Sequence, residues 1–373
     1  MKTAGALELD PAAAAEMSQS ACSELARDES ADSGARRPAL QRALSLPGDF
    51  GAPWVAIVAR IFEWRFTGAA RAIGVVVLVG WLASGCSIRR MAVNRLGDAL
   101  AGGGTTFASD DDPELVKAAV PFSLKLMESL LAENPRHKGL LFATASGFTQ
   151  YAYAFVQQDA DEMEDKDLAA ATAMRARARK LYLRARDYGL RGLETRHGGF
   201  EKALRANPRT AAQGAGAADV PLLYWTAVSW AAAIGVAKDN PDLIADLPIV
   251  EALVDRALEL NEAYDHGAIH AFLVSYEMSR QGAGGKAQER ARKHFERAQE
   301  LCGGLQAGPL VALAEGVSVQ DQNLKEFKEL LARALAIDVN AKPEWRLVNL
   351  VMQRRARWLL SRTDELFLTG EKQ

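Results

Sequence analysis

The sequence has little cysteine, no excess of charge of either sign and no recognisable catalytic motif. Only Cys22, Cys86 and Cys302 occur among its 373 residues, which is too few for a disulfide framework. The formal net charge of −2 gives no strong field toward nucleic acid or an anionic membrane. No GxSxG motif, Walker-type phosphate loop or CxxC motif is present. We therefore expect a protein that is not an enzyme, holds no cofactor or metal and does not bind nucleic acid.

What the sequence has is alanine-rich, helix-periodic segments. The prolines cluster outside these segments, which favours an all-α protein. The clearest example is the stretch 130–161, where Asn134-Pro135 separates two helices and the second helix begins near His137. In that second helix, one apolar stripe is predicted to contain Phe148, Tyr151, Ala152 and Phe155. The same helical period places Gln150, Tyr153 and Gln157 together on a different face.

Degenerate internal repeats indicate how the helices are arranged. The second helix of a tetratricopeptide unit carries a small residue, a bulky residue four positions later and a small residue three positions after that. Five segments approximate this pattern: Ser123/Met127/Leu130, Ala178/Tyr182/Ala185, Val250/Val254/Ala257, Ala291/Phe295/Ala298 and Phe327/Leu331/Ala334. The spacing between segments is irregular. We therefore expect residues 113–373 to form a tetratricopeptide-repeat-like superhelix of antiparallel helix pairs, with insertions.

The insertions lie between the second and third segments. A short helix is predicted at residues 200–206, followed by a loop from Asn207-Pro208 to Asp219. Residues 220–237 carry no charge, and the segment is long enough to span a membrane. Their many alanines, their hydroxyl groups and Pro221 favour a buried central helix over a membrane span.

The amino-terminal region predicts export. Residues 1–70 have little to bury, so we expect a disordered or mis-assigned upstream extension, with translation starting further along the chain. Residues 71–85 combine a basic flank, a short apolar core and small residues, as in a secretory signal peptide. Ala83-Ser84-Gly85-Cys86 resembles a lipobox, which predicts lipidation at Cys86. A short buried helix ending at Gly85 is the alternative interpretation. Residues 86–112 are predicted to form a tether and a short helix.

Two pairs of residues could carry chemistry. His266 and His270 have the i, i+4 spacing of metal ligands, but no HExxH motif or third ligand accompanies them. We expect them to line a groove or cap a hairpin, and a metal-dependent enzyme is the less favoured hypothesis. Cys302 with His294 could form a nucleophile and its base, yet a lone cysteine after a core-facing helix is usually a small buried hydrophobe.

Aromatic and polar side chains on helices with small neighbours are the better functional lead. Large aromatic residues usually pack in a core, although some line the concave surface of a solenoid. Polar side chains on a mostly apolar helix need a partner or water. The candidate groove residues for a ligand or partner are Gln150, Tyr151, Tyr153, Gln157, Tyr224, Trp225, His266 and His270.

Four blocks carry a resemblance to a known family. They are AENPRH with GFTQYAYAFVQQDAD, DYGLRGLETRHGGF, DVPLLYWTAVSWAAA and VNLVMQRRARWLLSRTDELF, within residues 86–367. These blocks resemble the T-component (TatT) family associated with TRAP-type solute transporters. The resemblance implies a lipid-anchored periplasmic protein with a tetratricopeptide-like fold. It also implies a homotrimer that binds a periplasmic solute-binding protein and passes a hydrophobic ligand through a concave groove or pore. A generic scaffold lipoprotein for envelope assembly is the alternative.

Overall fold

Helices account for all the regular secondary structure in the described part of the chain. The computed structural model describes residues 95–100, 102, 104–280 and 282–368. The predicted extension, the signal peptide and Cys86 lie outside these residues. The absence of any strand within the described residues confirms the all-α prediction.

Within the described residues from Gly104 onward, sixteen α-helices are defined. In chain order they are α1 (Gly104–Ala108), α2 (Pro113–Glu133), α3 (Lys138–Ala152), α4 (Gln158–Met163), α5 (Leu168–Glu194), α6 (Phe200–Ala206), α7 (Pro208–Gln213), α8 (Val220–Gly235), α9 (Pro241–Ile244), α10 (Leu247–Leu260), α11 (Ala268–Tyr276), α12 (Ala287–Leu301), α13 (Ala307–Leu313), α14 (Leu324–Leu335), α15 (Arg346–Ser361) and α16 (Thr363–Leu366). Two π-helical segments, π1 (Tyr153–Gln157) and π2 (Ala314–Ser318), continue α3 and α13.

The hairpin of α2 and α3 follows the predicted signals. The Asp112 carboxylate accepts hydrogen bonds from the backbone N–H groups of Glu114 and Leu115, and Pro113 occupies the first helical position. The helix ends at Glu133, and His137 caps α3 by accepting a hydrogen bond from the Leu140 N–H. The predicted break at Asn134-Pro135 and the predicted start of the second helix are therefore confirmed.

The five repeat-bearing segments lie on α2, α5, α10, α12 and α14, which we call the motif helices. The intervening helices α3, α8, α11, α13 and α15 alternate with them and pack against them: α3 and α8 against α5, α8 against α10, α11 against α12, and α13 and α15 against α14. In α5, Ala178, Tyr182 and Ala185 are fully buried, as the repeat pattern requires. This alternation is compatible with a tetratricopeptide-like superhelix.

Helix α8 is a core helix of this arrangement. The stretch Ala217–Gly235 is long and apolar enough to cross a membrane, but 61% of it is buried inside the protein. Trp230 is fully buried, and its indole N–H donates to Asp246. The prediction of a buried central helix is confirmed.

The predicted loop at residues 207–219 is only partly correct. The structure contains α7 and a 3-10 turn (Ala217–Asp219) within it. Asn207 caps α7 by accepting from the Thr210 N–H, with Pro208 at the first helical position. An Asn-Pro pair is compatible with both a turn and a helix start, and the turn interpretation was wrong here because the cap forms.

The last long helix returns to the beginning of the domain. Arg354 on α15 donates to Asp159 at 2.7 Å and to Glu162 at 2.8 Å, both on α4. About two helical turns before, Arg346 donates to the Ser109 carbonyl at 2.8 Å. These bonds join residues about two hundred positions apart, so α15 and the segment that includes α4 form a closing seam.

Close approach of α5 and α8 depends on a glycine. A Cβ atom added at Gly189 would lie 2.2 Å from the Thr226 hydroxyl oxygen and 3.4 Å from the Thr226 Cα. We expect Gly189→Ala to lower the free energy of unfolding by ~2 kcal/mol, because the helices must separate. Urea unfolding followed by circular dichroism measures the change. Gly235→Ala is the matched control, since nothing lies within 4 Å of that Cβ position. It should be neutral or stabilising, and equal losses for both variants would contradict the argument.

Candidate functional site

A buried arginine on α15 organises a polar centre where α15 meets α4, α5 and π2. The Arg355 side chain is only 9% exposed, and it donates to Asp161 at 2.9 Å and to Glu315 through two nitrogens. Asp161 accepts a second bond, from Arg175 on α5, at 3.0 Å. We call Asp161, Arg175, Glu315 and Arg355 the arginine–carboxylate centre. It joins α4, α5, π2 and α15 by charge-assisted hydrogen bonds.

The charge states of this centre follow from its contacts. Burial alone would lower the pKa of the Arg355 guanidinium, but Glu315 and then Asp161 outweigh it and raise the pKa. The pKa of Arg175 is also raised, chiefly by its hydrogen bond to Glu164. Both arginines therefore stay charged. Glu315 remains 37% exposed, so the centre is open to solvent on that side.

Both π-helical segments lead into this centre. A π turn carries one extra residue, so the side chains that follow it are rotated relative to a continuous α-helix. Segment π1 precedes Asp161, and π2 contains Glu315 itself. Such π turns occur frequently at functional sites, and two of them at one polar centre mark it as the candidate functional site.

Tyr153 and Gln157 lie on π1 with separate partners. The Tyr153 hydroxyl donates to the Met352 sulfur at 3.8 Å, and burial, followed by the nearby charge of Glu315, raises the pKa of Tyr153 to about 12. The side-chain amide oxygen of Gln157 accepts a hydrogen bond from the Tyr182 hydroxyl at 2.6 Å. Gln150 is exposed and donates to the Ser146 carbonyl of its own helix. The structure brings Tyr153 to the arginine–carboxylate centre, but it does not bring Gln150 there.

Gln158 is a polar side chain that sequence reasoning missed. It is 1% exposed, and its side-chain amide lies against the Tyr153 hydroxyl and opposes the rise in the pKa of Tyr153. Arg355 was missed too. Its signal was available, because it lies between Val351 and Leu359 on the buried stripe of α15.

The remaining aromatic candidates lie on α8 and α3. Tyr224 is buried and contacts Trp225 with ring centroids 5.1 Å apart, and Trp225 is half-buried. Tyr224 also contacts Phe272 on α11 at 6.5 Å. Tyr151, in contrast, is buried against Phe155 in the packing of α3.

A contact between α11 and π2 connects the aromatic residues to the arginine–carboxylate centre. Ser275 lies one helical turn after Phe272 and is exposed. The Cα of Ser275 lies 3.9 Å from where a Cβ on Gly316 would be, and Gly316 is the residue after Glu315. The aromatic residues and the arginine–carboxylate centre are thus linked through adjoining intervening helices.

The two candidate histidines point to different partners. His266 packs against Trp345 with ring centroids 5.0 Å apart. His270 forms a hydrogen bond with His294, with their Nδ1 atoms 2.8 Å apart, and its Nε2 lies 3.4 Å from Glu262. Burial lowers the pKa of both His270 and His294, so the pair is neutral near pH 7. Across the described part of the chain, no three His, Cys, Asp or Glu side chains converge as a metal site.

Cys302 lies at the end of α12. It is 3% exposed, and its thiol contacts the Gln299 carbonyl at 3.7 Å. A thiol in this position is enclosed by its own helix end, so it fits the interpretation of a small buried hydrophobe.

Removing the buried cation tests the arginine–carboxylate centre. Arg355→Met leaves Glu315 without a cation and Asp161 with Arg175 alone. We expect the free energy of unfolding to fall by about 3 kcal/mol, measured by urea unfolding. Arg357→Met on the exposed face of the same helix is the control and should change it by less than about 0.5 kcal/mol. A loss at Arg355 no larger than at Arg357 would show that the centre does not hold α15 in place.

Comparison with known proteins agrees with the resemblance of the four blocks. The chain is 30% identical over 305 residues to an uncharacterised protein of Treponema pallidum (strain Nichols), covering 77% of this chain and 94% of that protein. The sequence model of the TRAP transporter T-component family matches residues 109–367, which include every helix from α2 to α16. This chain therefore belongs to the TRAP transporter T-component (TAtT) family.

Proposed function

We propose that this T-component binds a periplasmic solute-binding protein of a TRAP transporter and passes a ligand along its intervening helices. The observation that carries the proposal is the family match over residues 109–367, since a T-component is a part of a transporter. The mechanism is binding and release without bond chemistry. As a transporter-associated component, the protein belongs to the cell envelope.

The side chains proposed to meet the ligand lie on or beside the intervening helices. Tyr153, Gln157, Trp225 and His266 are half-buried or exposed, so each could contact a bound molecule. Amphipathic side chains of this kind bind an apolar surface and a polar group at the same time. The ligand can therefore be largely hydrophobic and still carry a polar end.

The other candidates are proposed to support this face. Tyr151, Tyr224 and His270 are buried, and each packs against a neighbouring ring or histidine. Fixed side chains behind a binding surface hold the contacting residues in position. Gln150 is exposed on α3 and is proposed as a contact for the protein partner.

We propose further that Cys86 is acylated after removal of residues 71–85, so that the domain is tethered to a membrane in the periplasm. The support is the lipobox-like Ala83-Ser84-Gly85-Cys86. Two acyl chains on one cysteine give stable membrane binding, whereas one chain gives only marginal binding. A homotrimer is proposed from the family resemblance.

Crosslinking and capture of the full-length chain test the partner. The tagged protein is crosslinked in intact cells of its own organism, solubilised in mild detergent and captured, and its partners are identified by quantitative mass spectrometry. A TRAP solute-binding protein is expected at a fixed ratio to the bait, because the proposed hand-over requires direct contact. A different lipoprotein with the same tag serves as the control. Recovery of other envelope proteins without a solute-binding protein would favour the scaffold alternative.

Fractionation of a cysteine variant tests the anchor. Cys86→Ala should move the protein from the membrane fraction to the soluble fraction and remove the mass of the diacylglyceryl group. Cys302→Ala is the matched control and should stay in the membrane fraction, since that thiol is buried. Unchanged membrane association of Cys86→Ala would contradict the anchor.

A further inference from the structure

The turn that joins α10 to α11 has an uncommon backbone. Asp265 and His266 have φ angles of 44° and 54°, and Gly267 follows with a φ of 93°. Each left-handed residue other than glycine costs roughly 1–2 kcal/mol, so this turn persists only because its surroundings fix it. A Cβ at Gly267 would lie 3.0 Å from the Leu301 Cβ, which shows that the turn is pressed against α12. The position of Asp265 is therefore rigidly set.

The Asp265 carboxylate has no structural task within the described residues. It makes no hydrogen bond or ion pair there, and it does not cap α11, whose N-cap residue is Gly267. The residue is exposed to solvent, yet surrounding protein raises the pKa of its carboxyl, with only the neighbouring His266 opposing the rise. The carboxylate is thus open to solvent and has no hydrogen-bonding or ion-pair partner among the described residues.

Aromatic rings stand beside this carboxylate. Buried Tyr224 contacts Tyr264 with ring centroids 5.5 Å apart, and it also contacts Trp225 and Phe272. We call these four residues the aromatic cluster. Its outer members Trp225, Tyr264 and Phe272 are half-buried, so their rings are partly free to contact a ligand. Asp265 directly follows Tyr264 in the turn, so it adjoins the cluster along the chain. In agreement, burial and then the charge of Asp265 raise the pKa of both Tyr224 and Tyr264.

We propose that Asp265 and the aromatic cluster bind the ammonium group of a small organic cation. Aromatic faces attract a cation through their quadrupole, and the attraction strengthens when water is excluded. The unpaired carboxylate supplies the opposite charge. An anionic ligand would be repelled by Asp265, and a metal ion would lack the further ligands that it requires in the described part of the chain. The inference rests on the proposed ligand-binding function and names the chemical class of that ligand.

Choline and its neutral isostere 3,3-dimethylbutan-1-ol provide the probes. The two molecules have the same shape and differ in the charge of one central atom. Isothermal titration calorimetry of the full chain should show saturable binding of choline, and the neutral alcohol should bind about tenfold more weakly. Intrinsic tryptophan fluorescence should change with choline in the same titration, because Trp225 belongs to the cluster.

Asp265→Asn is the decisive variant. Asparagine tolerates the left-handed conformation at least as well as aspartate, so the turn is kept while the charge is removed. Choline binding should weaken by about tenfold. Asp239→Asn, which alters an exposed aspartate outside the cluster, is the matched control and should bind choline as the unaltered chain does. Trp225→Leu is a second variant and should weaken binding several-fold.

Three outcomes would overturn the inference: absence of saturable choline binding, equal affinity for the neutral alcohol, or unchanged affinity in Asp265→Asn. These outcomes are separable from the proposed function. A chain that captures a solute-binding protein but does not bind choline keeps the proposed function and loses this inference. A chain that binds choline but captures no solute-binding protein keeps this inference and loses the proposed function.

Discussion

The buried guanidinium of Arg355 is the constraint on which the arrangement of the intervening helices depends. A charged group with so little access to water is stable only when its partners are held in place, because removing an ion from water costs on the order of several kcal/mol. Asp161 and Glu315 come from segments that are distant in sequence. Their pairing with one side chain therefore fixes α4, π2 and α15 relative to each other. Apolar packing holds the motif helices against the intervening helices, and the ion pairs of Arg355 hold α15 against α4 and π2.

Packing and ligand binding are divided between the two sets of helices. The motif helices bury small and bulky residues against their neighbours. Both π segments continue intervening helices, α3 and α13, and the half-buried rings of Trp225 and Phe272 lie on α8 and α11. Departures from ideal helix geometry cost stability and tend to persist where function requires them. The position of both π segments at the ends of intervening helices supports the proposal that this set meets the ligand.

The sequence predicted the features that depend on local chemistry. The break at Asn134-Pro135, the helix start near His137, the buried α8 and the all-α class follow from neighbouring residues, and each is confirmed. The arrangement of the site depends on backbone irregularities that a regular period does not contain. A continuous helix would keep Gln150 and Gln157 on one face, but π1 intervenes. The i, i+4 spacing of His266 and His270 assumes a helix where the chain is left-handed. The partners of Arg355 lie far from it in the sequence, so no local residue pattern predicts them.

The closing seam also decides how large this domain can be. Arrays of helical repeats are usually open-ended, since the last unit offers the same surface as the one before and another unit can stack on it. Here Arg354 and Arg355 on α15 are already engaged by the acidic residues of α4. An additional helical pair inserted before α15 would pull those arginines away from their carboxylates and leave buried charge on both sides. In this chain, these ion pairs therefore oppose the insertion of a further helical pair before α15.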